Sequence, residues 1–206
     1  MDNLVSSKPA YMFDMDNLFQ NLEKICKSRS SCRRFKPDNI PQQAIEKIIS
    51  IAKLSPYAGG RKNWDIVAVT SQEVKLAMAK AIEETTATTT QGMDQEEAAL
   101  FNNYSNNFLF FTQAPVLLVP YFRISPVMGA LLKQNVTSQL LQWERDNSVK
   151  SISCVAMLVL LAAESLGLGA CYMTGPLIAT NQIGKILELP PGREAGAIIP
   201  IGYPYK

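Results

Sequence analysis

The chain contains no histidine. That absence removes Ser-His-Asp hydrolysis, Cys-His proteolysis and His-ligated zinc together. An enzyme built without histidine leans on a cofactor for its difficult step. Cysteine is sparse: Cys26, Cys32, Cys154 and Cys171, with no C-x-x-C pair among them. This argues against a structural zinc or a thioredoxin-like site. The four thiols read as reduced core residues, and no metal site is expected. Charged residues make up only 18%, below the roughly 25% of an average soluble chain. The shortfall hints at extra buried surface, as at a subunit interface. A formal net charge of +2 is too mild to imply nucleic acid or membrane binding. No basic segment leads into an apolar run, so no secretory signal is expected. The longest apolar run, from Val155 to Ala163, is broken by Glu164, far short of the roughly 20 residues of a membrane span. The expectation is a soluble cytoplasmic protein.

What is present suffices for a core, since 47% of the 206 residues are hydrophobic. Residues 1–17 have no steady period and read as an irregular arm, with one domain over 18–206. Leu18, Leu22, Ile25 and Cys26 follow helical spacing. The Ser/Arg-rich stretch from Lys27 to Lys36 reads as a loop. Pro41 suits a first helical turn, and Ile45, Ile48, Ile49 and Ala52 form one apolar face. Ser55-Pro56 closes that helix. Strands are expected at Ile66–Thr70, Val116–Phe122, Leu168–Met173 and Ala197–Ile201, and helices at Val74–Glu83 and Asn181–Leu187. Residues 84–107, with their threonine cluster, read as a loop with a helical piece, mobile near the threonines. Residues 123–150 read as a helical excursion. Ser153–Leu166 is apolar nearly all round and predicts a central helix buried on most sides, stopped by Gly167. Helices and strands mix without clean βαβ alternation, which favours α+β.

Three segments concentrate chemistry. Arg29-Ser30-Ser31-Cys32-Arg33-Arg34-Phe35 puts guanidiniums and hydroxyls just after a helix. Arginine forks match phosphate oxygens, and serine hydroxyls add donors. Ser55-Pro56-Tyr57-Ala58-Gly59-Gly60-Arg61-Lys62-Asn63-Trp64 leads into a strand. Its glycines let backbone approach a flat ligand, and Trp64 reads as a core anchor. Leu161 to Ala170, then Tyr172-Met173-Thr174-Gly175, is a helix with a glycine stop feeding a strand. Ile201-Gly202-Tyr203-Pro204 follows near the end.

The order RSSxRxF, SPxxGGRxxW, LAAESLGLGA, IGYP resembles the nitroreductase family, in register over residues 24–83 and 110–204. The resemblance implies an α+β nitroreductase-like fold: a central, mostly antiparallel sheet flanked by helices, in an intertwined homodimer with FMN at the interface. It implies that Arg29, Ser30, Ser31 and Arg33 hold the FMN phosphate, ribityl chain and pyrimidine edge. Arg33 would stabilise the anionic reduced flavin. Pro56, Tyr57, Ala58 and Gly60 would approach from the partner subunit, Asn106 would face the pyrimidine ring, and Thr174 and Gly175 would aim a backbone N–H at N5. The implied mechanism is ping-pong. NAD(P)H gives hydride to N5 and leaves, and a small acceptor, a nitroaromatic, quinone or enone, takes its place. The same scaffold also serves dehalogenation, oxidative ring formation and flavin fragmentation. The competing class is a flavin-binding module that stores or senses FMN without turnover. The sequence departs from the family pattern in three places. Gly60 and Lys62-Asn63 replace the common Asn and Gln-Pro. Met157-Leu158 stands at a frequent Gln-Asn pair. The chain stops at Lys206, where relatives continue to a basic pair; either Lys206 substitutes, or Arg29 and Arg33 carry more of the phosphate.

Overall fold

The computed structural model describes residues 15–58, 63–123 and 136–205. Gly60, Lys206, residues 1–14 of the expected arm and the first part of the 123–150 excursion lie outside them. Helix α1 spans Met15–Ser28. Its first turn is already helical at Met15–Asn17, where the sequence suggested arm, and it carries Asp16 at the end where the helix dipole favours an anion. It also takes Lys27 and Ser28 from the expected loop.

Helix α2, Gln42–Ala52, buries Ile45, Ile48 and Ala52, with Pro41 at its N-cap. Strand β1 is Trp64–Val69 and β2 is Val116–Arg123. Between them, the reading of 84–107 as a loop with a helical piece is corrected, because most of the segment is helical. Helix α3 runs Gln72–Thr90 and α4 runs Gln95–Ser105. The threonines stay helical because their hydroxyls find partners inside the helix. Thr85, Thr88, Thr89 and Thr90 donate to the carbonyls of Ala81, Glu84, Thr85 and Thr86, four residues back. A capping box between Asp94 and Glu97 then starts α4.

Helix α5 is Ser138–Ser165, far longer than the apolar stretch suggested, and α6 is Thr180–Ile186. Gly167, at φ 72°, ends α5. Its amide donates to Glu164 and that of Leu168 to Ala163, both at 3.0 Å, the Schellman arrangement. By length and composition α5 could cross a membrane. Here it packs along α2 and β2, and Arg145 on it pairs with Glu194 at 3.0 Å, as a core helix would. Ile152, Val155, Ala156, Val159, Leu160, Ala162 and Ala163 are buried, and one flank is open at Cys154 and Met157.

The expected strand at Leu168–Met173 condenses to β3, Gly169–Ala170, with an isolated bridge from Met173 to Ile198. Strand β4, Arg193–Ala195, was not anticipated, and β5 is Ile199–Gly202. Every strand pairing is antiparallel, in the order β1-β2-β5-β3, with β4 continuing beside β2. Both faces are covered. Val116, Leu118 and Phe122 point toward α2 and α5. Leu117 and Val119 point toward α3 and α6. This is the α+β arrangement expected, with a core on each side of the sheet.

One buried charge supports the second core. Lys75 on α3 is 3% exposed and donates to the Ala114 carbonyl at 2.7 Å. Burial lowers its pKa from the ordinary 10.5. Unfolded chains therefore bind more protons between the folded value and 10.5, and the stability contributed by this group rises with pH across that window. Lys75→Met should show a shallower rise of unfolding free energy there, measured by denaturant titration at several alkaline pH values.

Candidate functional site

The Arg29–Phe35 segment is stitched to the sheet edge at both ends. Ser31 forms a parallel bridge with Ala170, and the Cys32 amide donates to the Ala170 carbonyl at 3.0 Å. Phe35 bridges Pro204, and the Lys36 amide donates to Tyr203 at 2.8 Å. This close seam needs glycine opposite. A Cβ at Gly169 would stand 2.7 Å from the Cys32 side chain. A Cβ at Gly202 would stand 2.9 Å from Phe35.

Beyond Ala170 the chain continues extended along β5, with the Cys171 amide on Pro200 and Met173 paired to Ile198. Thr174 turns it into a short 3-10 helix, Gly175–Ala179. As the first residue of that turn, Gly175 has an amide with no intrahelical acceptor. The turn packs against a second one, Asn106–Phe108, because Gly175 leaves room for the Phe108 ring. Asn106 is exposed at the end of α4, on a groove floored by Ile82 and Leu109 and edged by Glu83, Thr86 and Asn102.

One row of residues thus runs from Arg29 and Ser31 through Ala170 and Cys171 to Thr174, Gly175 and the Asn106 turn. The charges converge at Cys171. Burial pushes its thiol up, and the Ser31 hydroxyl and the Arg33 and Arg29 guanidiniums pull it back. Arg29 is half-buried, and Ser30, Ser31 and Arg33 are exposed. Among the described residues neither arginine is paired with a carboxylate. Unneutralised guanidiniums beside serine hydroxyls are the donor set that a phosphate accepts. The residues present therefore fit the phosphate end of FMN.

Residues 26–203 match the family model described as the nitroreductase family. The chain belongs to the nitroreductase family. It is 25% identical over 183 residues to an iodotyrosine dehalogenase 1 homolog of Caenorhabditis elegans, covering 86% of this chain and 53% of that protein. The chain thus spans about half of that relative's length. A BluB-like flavoprotein from Clostridium difficile 630 superposes with a TM-score of 0.79 at 22% identity, covering 90% of each chain. A nitroreductase with bound FMN from Desulfitobacterium hafniense DCB-2 gives 0.67 at 19% identity, again covering 90% of each. Those two likenesses establish the nitroreductase fold.

Within that fold, the Pro56–Ala58 loop stands apart from the row just described. The Ala58 amide donates to Ser151 Oγ on α5 at 3.0 Å. Tyr57 turns inward, its ring stacked on Trp64 with centroids 6.2 Å apart. Its hydroxyl is buried on the side of Ser148. Burial raises its pKa, against smaller opposing effects of Ser148 and Arg193. Pro56 and Ala58 are exposed, and Tyr57 is half-buried between them. Trp64 is the core anchor expected, at 6% exposure. Sequence reading missed Ser151, which lies 93 positions from the loop it holds, and Phe108, whose role depends on a glycine far along the chain. No local signal marks either.

The cysteines are all free, but the expectation that they fill the core holds only for Cys171. Cys26 and Cys154 are exposed and Cys32 is half-buried. Reactivity follows thiolate character and access. Cys171 should therefore stay unmodified by iodoacetamide at neutral pH until the protein is unfolded, as read by peptide mass spectrometry.

Proposed function

We propose that this nitroreductase-family chain is an FMN-dependent oxidoreductase that passes reducing equivalents from NAD(P)H to a flat, electron-poor acceptor such as a nitroaromatic, quinone or enone. The observation that carries the reading is the convergence of Arg29, Arg33 and Ser31 around Cys171, at one end of an extended segment whose other end is Thr174–Gly175. FMN, when bound, supplies two-electron transfer between a nicotinamide donor and the acceptor. Arg29 and the Ser30 and Ser31 hydroxyls hold its phosphate and ribityl chain. Arg33 places positive charge where a reduced flavin gathers negative charge. The Thr174–Gly175 backbone offers an amide to the reactive nitrogen, and Asn106 lies at the rim. Histidine is not needed, because no residue here is asked to move a proton as a general base.

The site is read as completed by a second copy of the chain, with the loop that carries Pro56, Tyr57, Ala58 and Gly60 as its contribution. The surface supports a homodimer. Leu18, Phe19 and Leu22 on α1 and Leu141, Trp143 and Met157 on α5 all lie exposed, side chains of the kind that a subunit interface covers. Sedimentation should give a dimer whose flavin is bound; a flavin-loaded monomer would refute this. We read the protein as soluble and cytoplasmic. Steady-state NAD(P)H oxidation with menadione or a nitroaromatic tests the activity. Bound flavin without turnover for any acceptor would make the chain a flavin store or sensor instead.

A further inference from the structure

No step of the flavin chemistry needs the chain's thiols, yet two of them meet. Cys32 lies in the Arg29–Phe35 segment. Its amide donates at 3.0 Å to the Ala170 carbonyl, on the peptide that joins Ala170 to Cys171. Standard peptide dimensions then keep the two cysteine Cα atoms within about 7 Å of each other, the limit over which a pair can be bridged. Their side chains also share a face. Extended backbone sends residues two apart to the same side, so Cys171 points the way a side chain at Gly169 would. A Cβ built at Gly169 would stand 2.7 Å from both Cβ and Sγ of Cys32. Cys32 thus fills the space that Gly169 leaves, one step along the strand face from Cys171. It packs against the same apolar cluster that holds Cys171.

The two thiols differ in access and in surroundings. Cys32 is half-buried and Cys171 is buried. The Cys32 thiol donates to the Arg34 carbonyl at 3.3 Å, a weak hold for a thiol. Around Cys171, burial works against the thiolate, whereas the Ser31 hydroxyl and the Arg33 and Arg29 guanidiniums favour it. An oxidant entering from solvent therefore reaches Cys32 first, with a second sulfur next to it.

We infer that Cys32 and Cys171 form a redox-active dithiol, a modification site for hydrogen peroxide in which Cys32 is oxidised and Cys171 resolves it. The Cys32 sulfur takes one oxygen from the peroxide as the O–O bond breaks, giving a sulfenic acid and one water. The Cys171 sulfur then attacks Cys32 Sγ. The S–O bond breaks, the Cys171 proton leaves with the hydroxide as a second water, and a disulfide remains. Two thiols are oxidised and one peroxide is reduced to two waters. The bridge ties the Arg29–Phe35 segment covalently to β3. It needs no bound flavin and stands apart from the FMN reading.

The test starts from a Cys26→Ser/Cys154→Ser variant, which removes the two exposed thiols. The reduced protein is exposed to equimolar hydrogen peroxide, quenched in acid, unfolded and alkylated with iodoacetamide. Peptide mass spectrometry should find the Cys32 and Cys171 peptides joined within one chain, neither alkylated, and separated again by dithiothreitol. Adding Cys171→Ser should leave Cys32 as a sulfenic acid that dimedone traps, and with Cys171 present that labelling should nearly vanish. Cys171 recovered fully alkylated would overturn the pair, whether Cys32 is itself alkylated or carries its own oxygen. A link between two chains would overturn it as well. If the Cys171→Ser variant fails to fold, the linked-peptide measurement still decides.

Discussion

Arg29→Ala should weaken FMN binding by roughly 1.5–3 kcal/mol, the usual loss for a charge-assisted hydrogen bond. That corresponds to about ten- to a hundredfold in dissociation constant. The reason lies in what surrounds the guanidinium. It is half-buried, it shares the Ser31–Ala170 seam with Arg33, and no carboxylate among the described residues neutralises it. A cation left without an internal partner contributes little to folding, so the change should move stability by no more than about 0.5 kcal/mol. Titration calorimetry of FMN into the apoprotein, alongside thermal melts, separates the two effects. Wild-type affinity in the variant would contradict the phosphate assignment. A large loss of stability would mean that Arg29 serves the fold.

Gly175→Ala should destabilise the protein by about 1–3 kcal/mol, the range for overpacking a filled site. A methyl there would overlap the Phe108 ring, itself only 5% exposed and part of the core under α3. The ring also meets Tyr104 edge-on, with centroids 5.2 Å apart, so its retreat disturbs that contact. For a chain of this size the shift in Tm is about 2–4 °C per kcal/mol. Flavin affinity should fall as well, because relieving the clash moves the turn that begins at Thr174. Phe108→Leu in the same chain should make the two changes non-additive, since each alters the same contact. A Gly175→Ala variant that melts with wild type and binds FMN normally would show that the two turns pack less closely than described.

Legibility in the sequence followed the kind of signal. Where apolar spacing set the element, as at Ile45, Ile48 and Ala52 or at Val116–Phe122, the reading matched the structure. The threonine run misled, because Thr88, Thr89 and Thr90 look like loop residues until their hydroxyls are seen bonding within α3. Strand β4 was invisible, because Arg193 and Glu194 carry no strand signature. They are ordered by pairing with Arg123 and Phe122 and by the Arg145 ion pair, none of them close in sequence. The length of α5 was hidden by its polar first half, which faces solvent and Glu194.

The sequence by itself determined the chemistry on offer: no histidine, a Ser/Arg cluster before Phe35, glycines at 167, 169 and 175, and an order of motifs that resembles the nitroreductase family. These are local or compositional facts, and a chain carries them before it folds. Only the tertiary structure decided which of those groups meet. Pairing of Ser31 with Ala170 brings two arginines to a segment nearly 140 positions away. The tether of Ala58 to Ser151 and the packing of Phe108 on Gly175 likewise arise between distant residues. Such contacts depend on how helices settle on the two faces of the sheet, and no window along the sequence contains both partners.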